Sequence, residues 1–224
     1  MNNYKIQKEV DFLSFLKERL TKPLPGHTAH LKMQPMHGNR EFRSLTPNND
    51  TTPSAVLVLL TKNKEINDFE VLLTLRSTNI RHSGQISCPG GFKEEGEDAI
   101  ITALREAKEE IGIEADNILI LGSLSDLYVQ PSNTLITPVL AYISEINDLN
   151  VNKEEVDEVF FIKLSTLLDK NVYRKELWNL KGNEVEVPFW NVHPTTPLWG
   201  ATAMILKELL FLYDEFLELI KSEL

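Results

Sequence analysis

The fold and the chemistry of this chain depend on residues 91–113, GFKEEGEDAIITALREAKEEIGI. A glycine turn leads through an acidic loop into a helix, which the pattern predicts from about Asp98 to Ile111. Its apolar positions step by four, three and four residues, the spacing of one buried helical face; they are Ile100, Leu104, Ala107 and Ile111. Asp98 suits an N-cap, and Gly112 suits a left-handed C-terminal stop.

The polar side of the same helix carries three glutamates at i, i+3 and i+4, namely Glu106, Glu109 and Glu110. Like charges at this spacing repel one another and lower helix stability by a few tenths of a kcal/mol per pair. A run of glutamates on a helix is usually a solvated surface. A cation between the carboxylates would instead turn the repulsion into a binding site, and hard divalent ions such as magnesium prefer oxygen ligands.

The stretch also matches a known motif, the Nudix box G-x5-E-x7-R-E-U-x-E-E-x-G-U, where U is bulky or aliphatic. The matching positions are Gly91, Glu97, Arg105, Glu106, Ala107, Glu109, Glu110, Gly112 and Ile113. Ala107 is the one small residue at a U position. The chain therefore resembles the Nudix hydrolases, which cleave a nucleoside diphosphate linked to another moiety by attack of water on phosphorus. The resemblance implies an α/β fold, an α/β/α sandwich with a mixed β-sheet.

The resemblance also implies roles for individual residues. The expected metal ligands for Mg²⁺ or Mn²⁺ are Glu106, Glu110, Glu109 and the carbonyl of Gly90. Arg105 is expected to hold a box carboxylate by bidentate hydrogen bonds, the alternative being a surface ion pair. Glu97 is expected to orient the loop or to contact a second metal.

The general base of the reaction can lie in the box or on a later loop in this family. The later acidic candidates are Glu154, Glu155 and Glu158, in the segment EEVDEVFFIKL. We choose Glu155, which precedes the predicted strand in this segment. A solvated acidic loop is the alternative for each of them, and the role would then fall to Glu109 or Glu97.

The segment before the box resembles the coenzyme A pyrophosphatase pattern L-L-T-x-R-S-x3-R-x3-G-x3-F-P-G-G. It runs from Leu72 to Gly91, and the later segments YVQPS and WGATA are also similar to that subfamily. Arg76 and Arg81 are the expected substrate-binding residues, because guanidinium groups suit phosphate oxygens. Two positions depart from the pattern: the spacer between Arg81 and Gly84 is one residue short, and Cys88 replaces the usual phenylalanine or leucine.

Composition excludes several other classes of protein. The chain has 224 residues and a formal net charge of −10, which argues against a nucleic-acid partner. Its single cysteine, Cys88, fits a reducing compartment, so we expect a cytoplasmic protein. No apolar run is long enough for a membrane span, and the first residues lack the apolar block of a signal peptide.

The remaining pattern predicts a mixed sheet between helices. Strands are expected at residues 55–60, 69–75, 118–121, 124–128, 135–143 and 159–162, with a hairpin at 172–190 and helices at 10–20, 98–111, 165–168 and 202–220. Residues 1–53 are interpreted as an N-terminal helix and a loop-rich arm, and residues 54–224 as the Nudix domain. The N-terminal helix is expected to pack on the domain or to join two copies in a homodimer.

These patterns together favour a Nudix pyrophosphatase that cleaves coenzyme A or acyl-CoA to 3',5'-ADP and a 4'-phosphopantetheine species. One alternative is a Nudix pyrophosphatase acting on ADP-ribose or another dinucleotide. The other is a Nudix module that binds a ligand without catalysis, and the intact set of acidic residues argues against it.

Overall fold

The computed structural model describes residues 12–37, 40–41, 46–63, 68–78, 83–146 and 148–222. The elements in chain order are α1 (12–19), α2 (His27–His30), β1 (Met36–His37), β2 (Arg40–Glu41), β3 (Thr52–Asn63), β4 (Asp68–Arg76), β5 (Ile86–Ser87), β6 (Gly90–Phe92), α3 (Ala99–Ile111), β7 (Ile118–Ser123), β8 (Leu127–Val129), β9 (Thr134–Ile143), β10 (Val156–Lys163), α4 (Leu164–Leu168), β11 (Tyr173–Leu180), β12 (Asn183–Trp190), β13 (Leu198–Trp199) and α5 (Gly200–Ser222). Short 3₁₀ turns lie at Ala115–Asn117 and Gln130–Ser132.

Within the described residues, the larger sheet has eight strands and the central order β10-β4-β3-β9-β7. Strands β3 and β9 run parallel, whereas the other neighbours are antiparallel. The short strands β5, β6 and β8 extend it beside β4, β3 and β9. The sheet is therefore mixed, as the sequence predicted.

Two apolar cores cover the two faces of this sheet. Successive residues of β3 alternate between them, because side chains on a strand point to opposite faces. Leu57 packs with Ala103 and Ile111 of α3 on one face. Val58 packs with Leu209 of α5 on the other. The helix–sheet–helix layers confirm the predicted α/β/α sandwich.

A second sheet, with five strands in the part of the chain that the structure describes, has the order β11-β12-β1-β2, with β13 beside β12. The predicted hairpin is confirmed: Lys181 and Gly182 have φ of 54° and 83°, the positive values that a two-residue type I′ turn requires. The pairing of Met36 with Glu186 was not predicted. The arm expected to be loop-rich therefore contains two short strands and α2, and Thr52 and Pro53 already belong to β3.

The structure modifies the predictions for Pro138 and Gly122 and favours one of the two roles predicted for α1. Pro138 was expected at an edge or bulge, but it lies in the interior of β9. On one side of β9 the neighbouring strand changes from β8 to β7 at this point. A backbone N–H is therefore not required there for pairing, and proline is tolerated. The break predicted at Gly122 is a register shift inside β7. In α1, Phe12 and Leu16 are fully buried in the core of the same chain, which favours the packing role; Val10 lies outside the described residues.

Candidate functional site

The glycine turn and the helix that follows it form the base of the site. Strand β6 pairs with β3, so that Gly91 faces Ala55 and Gly90 faces Val56. A Cβ on Gly90 would overlap the carbonyl oxygen of Ala55, and a Cβ on Gly91 would overlap the carboxylate of Glu106. Glycine at both positions therefore lets the turn lie against β3 and the helix at once.

Both predicted caps of α3 are confirmed. The side chain of Asp98 accepts a hydrogen bond from the Ile101 amide at 2.9 Å. Gly112 is left-handed with φ of 74°, and its amide donates to the carbonyl of Lys108. These caps fix the start and the end of the helix, and with them the direction in which its glutamates point.

The buried face of α3 agrees with the prediction at Ala107 and Ile111 but differs at Ile100. Ile100 is 37% exposed rather than buried, and the helix packs through Ala103, Ala107 and Ile111. The small alanines allow a close approach to the sheet. Because this face is rotated relative to the expected one, Glu110 turns inward and is only 2% exposed.

Arg105 joins the acidic loop to the helix. Its guanidinium donates to both oxygens of Glu97, from Nε at 2.7 Å and from Nη2 at 3.1 Å. It also donates to Glu106 at 2.9 Å and to Glu109 at 3.1 Å. The carbonyl of Phe92 accepts a further bond at 3.0 Å. Arg105 therefore makes the expected bidentate contact with a box carboxylate, and that carboxylate is Glu97.

Glu97 is strongly held in its charged form. The hydrogen bonds from Arg105, from the Glu94 amide and from Thr102 lower its pKa to about 2. Thr102 donates at 2.7 Å from inside the helix. The contacts give Glu97 a loop-orienting position. The role of Thr102 was missed in the sequence, since the box leaves its position unspecified.

Glu110 is the most unusual carboxylate of the site. Burial raises its pKa to about 8, and the charges of Glu106 and Glu155 act in the same direction, against the charge of Arg76 and the amide of Gly90. Arg76 approaches it at 3.6 Å, from Nη1 to Oε1. Its other oxygen, Oε2, is buried and has no hydrogen-bond partner within the described part of the chain.

Two further carboxylates act electrostatically on Glu110: Glu106, one turn earlier on α3, and Glu155, on the loop before β10. Burial raises the pKa of Glu106 against the hydrogen bond from Arg105, and the charges of Glu109 and Glu155 raise it further. The backbone of Glu155 is fixed by Ser77, whose amide donates to its carbonyl at 2.8 Å. A loop far along the chain thus adds a carboxylate to those of the box.

The structure separates the three candidates for the base. Glu155 acts electrostatically on both Glu106 and Glu110. Glu158 lies 3.3 Å from Nε2 of His193 instead, and Glu154 is exposed on the turn. Glu109 is 55% exposed at its side chain. Arg81 lies outside the described residues, so its predicted substrate contact stays a prediction.

The donor set fits a divalent cation. Glu110 has a buried, unpartnered carboxylate oxygen beside further carboxylates, and a bound cation would satisfy both the oxygen and the charge. No three His, Cys, Asp or Glu side chains in the described ranges are grouped closely enough to enclose a metal ion on their own. A magnesium site does not need such a cage, because one or two carboxylates with waters and substrate phosphates suffice.

A cavity of about 480 Å³ lies elsewhere, between α4, α5 and the loop after α2. Met33, Trp190 and Phe211 line it, together with Lys32 and Lys207. None of the box carboxylates lines it. The candidate site is therefore the open surface above Glu106 and Glu110, where the glycine turn, α3 and the loop before β10 meet.

Comparison with known families agrees with this geometry. Residues 51–180, more than half of the chain, match the NUDIX domain family. The chain belongs to the Nudix family and is a Nudix hydrolase.

Among its curated relatives is Nudix hydrolase 3 of Caenorhabditis elegans, 34% identical over 160 residues that cover 64% of this chain and 67% of the relative. The mitochondrial coenzyme A diphosphatase NUDT8 of Homo sapiens is 32% identical over 193 residues, which cover 84% of this chain and 73% of the relative. The likeness to the human relative supports the resemblance to the coenzyme A pyrophosphatase subfamily. Since one relative is mitochondrial, the cytoplasmic location stays a prediction.

Solved structures support the fold. A Nudix hydrolase from M. smegmatis, RenU, has a TM-score of 0.54 at 16% identity. The superposed region covers 77% of this chain and 95% of the RenU chain. A MutT/nudix family protein from Enterococcus faecalis has a TM-score of 0.52 at 22% identity. The superposed region covers 77% of this chain and 66% of the E. faecalis chain. None of the described helices combines the length and the apolar composition needed to cross a lipid bilayer.

Proposed function

We propose that the protein cleaves the pyrophosphate of coenzyme A or acyl-CoA, releasing 3',5'-ADP and a 4'-phosphopantetheine species. The observation that carries the proposal is the buried, unpartnered Oε2 of Glu110 beside Arg76, Glu106 and Glu155. A carboxylate in that position is costly unless a cation or a proton occupies it. A pyrophosphate-bound divalent cation meets this requirement.

The substrate assignment has separate support. The segment from Leu72 to Gly91 resembles the coenzyme A pyrophosphatase pattern and runs directly into the box. The human relative named a coenzyme A diphosphatase aligns over most of the chain. Arg76, at the end of β4 beside Glu110, presents a guanidinium where a phosphate oxygen would approach the site.

In the proposed mechanism Glu106 and Glu110 would hold Mg²⁺ or Mn²⁺, with Glu109 and the carbonyl of Gly90 as further candidate ligands. The cation, when bound, neutralises phosphate oxygens and lowers the pKa of a water molecule. Arg105 keeps Glu106 and the loop carboxylate Glu97 in fixed orientations.

Glu155 accepts a proton from the attacking water. A general base of this kind typically contributes about 10²- to 10⁴-fold to the rate. A general base requires a carboxylate that faces the reacting centre and has an oxygen free to accept a proton. Glu155 is partly buried, and one of its two oxygens is hydrogen-bonded to Asn152.

The test is the release of 3',5'-ADP from CoA in the presence of Mg²⁺ or Mn²⁺, followed by chromatography. CoA, dephospho-CoA and ADP-ribose are compared at equal concentration, and Glu106→Gln serves as the inactive control. Stoichiometric 3',5'-ADP supports the proposal. Cleavage of ADP-ribose without cleavage of CoA would assign the alternative substrate, and binding without turnover of any of them would assign a non-catalytic module.

A further inference from the structure

Asn152 connects the end of the box helix to the loop that carries Glu155. Its amide N–H donates to the carbonyl of Glu110 at 2.9 Å. Its own carbonyl accepts from the amides of Glu155 at 3.1 Å and Val156 at 2.9 Å. The backbone of Asn152 is therefore fixed from both sides, and the turn it begins cannot shift relative to α3 without breaking these bonds.

The side chain of Asn152 continues the same arrangement. Oδ1 accepts from the Glu154 amide at 3.1 Å, the contact of an Asx turn. Nδ2 donates to Oε1 of Glu155 at 3.1 Å. The two contacts determine which end of the amide is oxygen, because a reversed amide would place its NH₂ group against the Glu154 N–H.

We propose that Asn152 is a positioning residue that holds the Glu155 carboxylate toward Glu106 and Glu110. The inference rests on the proposed function, in which Glu155 is the base. Glu155 has a long side chain with several rotamers, so a fixed donor on one oxygen selects the rotamer that faces the site and leaves the other oxygen to accept a proton. A neutral amide does this without adding a positive charge that would compete with a bound cation.

The choice of residue type is specific. A lysine or arginine in this place would form an ion pair and hold the carboxylate more strongly in its charged form, weakening it as a base. A serine would keep the Asx-like turn contact, but its hydroxyl could not reach Glu155 at the same time. Asparagine supplies one acceptor for the turn and one donor for the carboxylate.

The test is the variant Asn152→Asp. It keeps the acceptor for the Glu154 amide but replaces the donor with an oxygen that repels Glu155. We expect kcat for CoA hydrolysis to fall by about 10- to 100-fold, the usual effect of losing an outer hydrogen-bond partner, with KM nearly unchanged. Asn150→Asp is the matched control: it adds the same charge two residues earlier on an exposed side chain, and we expect kcat to stay near wild type.

A double-mutant cycle distinguishes positioning from a general structural role. In the Glu155→Gln background, Asn152→Asp should cause no further loss of kcat, since the group that it positions has lost its function. An equal loss in both backgrounds would overturn the inference while leaving Glu155 as the base. An unchanged kcat in Glu155→Gln alone would overturn both.

Two measurements keep the test decisive. Thermal unfolding shows whether Asn152→Asp is folded; if it is not, Asn152→Ser replaces it, since a serine hydroxyl keeps the turn acceptor. If wild-type protein releases no 3',5'-ADP from CoA but cleaves ADP-ribose, the substrate proposal fails, and the same cycle is run with ADP-ribose. The positioning of Glu155 does not depend on the leaving group.

Discussion

Gly91 and Glu106 lie so close together that a Cβ at position 91 would overlap the carboxylate. The obstructing atoms are at the far end of a flexible side chain, so the carboxylate can move aside without unfolding the helix. The glycine of the box is therefore required by the position of a functional group, since the backbone at Gly91 has no positive φ.

The first prediction concerns this contact. Gly91→Ala should displace the Glu106 carboxylate and lower activity by about 10- to 100-fold, as disturbed support of a metal ligand commonly does. Stability should change little. Activity as a function of Mg²⁺ concentration, with thermal unfolding beside it, measures both effects. Phe92→Ala is the control, because Phe92 is the next residue in the sequence and its side chain is exposed. Unaltered activity of Gly91→Ala would contradict the proposed role of Glu106.

The second prediction concerns the buried carboxylate. Glu110→Gln should reduce turnover by at least about 100-fold, since it removes a charge that the cation requires. The fold should persist, because burial already raises the pKa of Glu110 to about 8 and the neutral amide avoids that cost. Glu114→Gln, on an exposed residue paired with Lys108, is the matched control. Near-wild-type turnover of Glu110→Gln at saturating Mg²⁺ would remove Glu110 from the metal site.

The position of the box on a glycine turn and a capped helix could be predicted from the sequence because it depends on local interactions. Asp98 and Gly112 act within one helical turn of their own positions. The spacing of Arg105, Glu106 and Glu110 along the helix is likewise fixed by helical geometry. The hairpin at Lys181 and Gly182 belongs to the same class of prediction, because turn chemistry is local.

The burial of Glu110 and the convergence of Glu155 could not be predicted in this way. The helix packs through Ala103 as well as the predicted Ala107, whereas Ile100, which the pattern placed on the buried face, is exposed. The hydrogen bond from the Asn152 amide to the Glu110 carbonyl joins α3 to a loop some 40 residues later. Such relationships are set by tertiary packing, and no local periodicity records them.

The third prediction concerns a buried acid away from the site. Glu208 is fully buried on α5 and accepts from the Gly26 amide at 2.6 Å, the Ser125 amide at 2.9 Å and the Ser125 hydroxyl at 2.7 Å. Burial acts to raise its pKa, but His30, whose Nε2 lies 3.5 Å from Oε2, and the hydrogen bonds from Ser125 and Gly26 outweigh it and lower the pKa below the usual 4.5. These contacts hold the loop before α2 and the loop after β7 against α5.

Because the folded pKa is depressed, Glu208 stabilises the fold above the pKa of the unfolded chain, and this stability is lost as the pH falls through the lower, folded pKa. Glu208→Gln should destabilise the protein by about 1–3 kcal/mol at pH 7, the cost of leaving buried donors without an acceptor. The difference from wild type should shrink below about pH 4.5. Urea unfolding at pH 7 and pH 4 measures it, with exposed Glu218→Gln as control. An equal difference at both pH values would show that the charge of Glu208 is not the cause.

The last prediction concerns the short spacer between Arg81 and Gly84. The far end of this loop is anchored on Arg76, which donates its amide to the Gln85 carbonyl at 3.0 Å and accepts from the Gly84 amide at 2.9 Å. One missing residue shortens the reach of the chain by up to roughly 3.5 Å. If Arg81 contacts the 3'-phosphate of CoA, a bidentate contact tolerates little of that displacement.

We therefore expect this protein to cleave CoA with weak preference over dephospho-CoA. Inserting one glycine after His82 should strengthen the preference for CoA without changing the metal requirement, because Glu106 and Glu110 lie on a separate element. The measurement is kcat/KM for both compounds in the native protein and in the insertion variant; the same insertion after Gly182, at the tip of the hairpin, is the control. A native preference for CoA above about 100-fold, or some 2.7 kcal/mol, would show that the short spacer does not impair recognition.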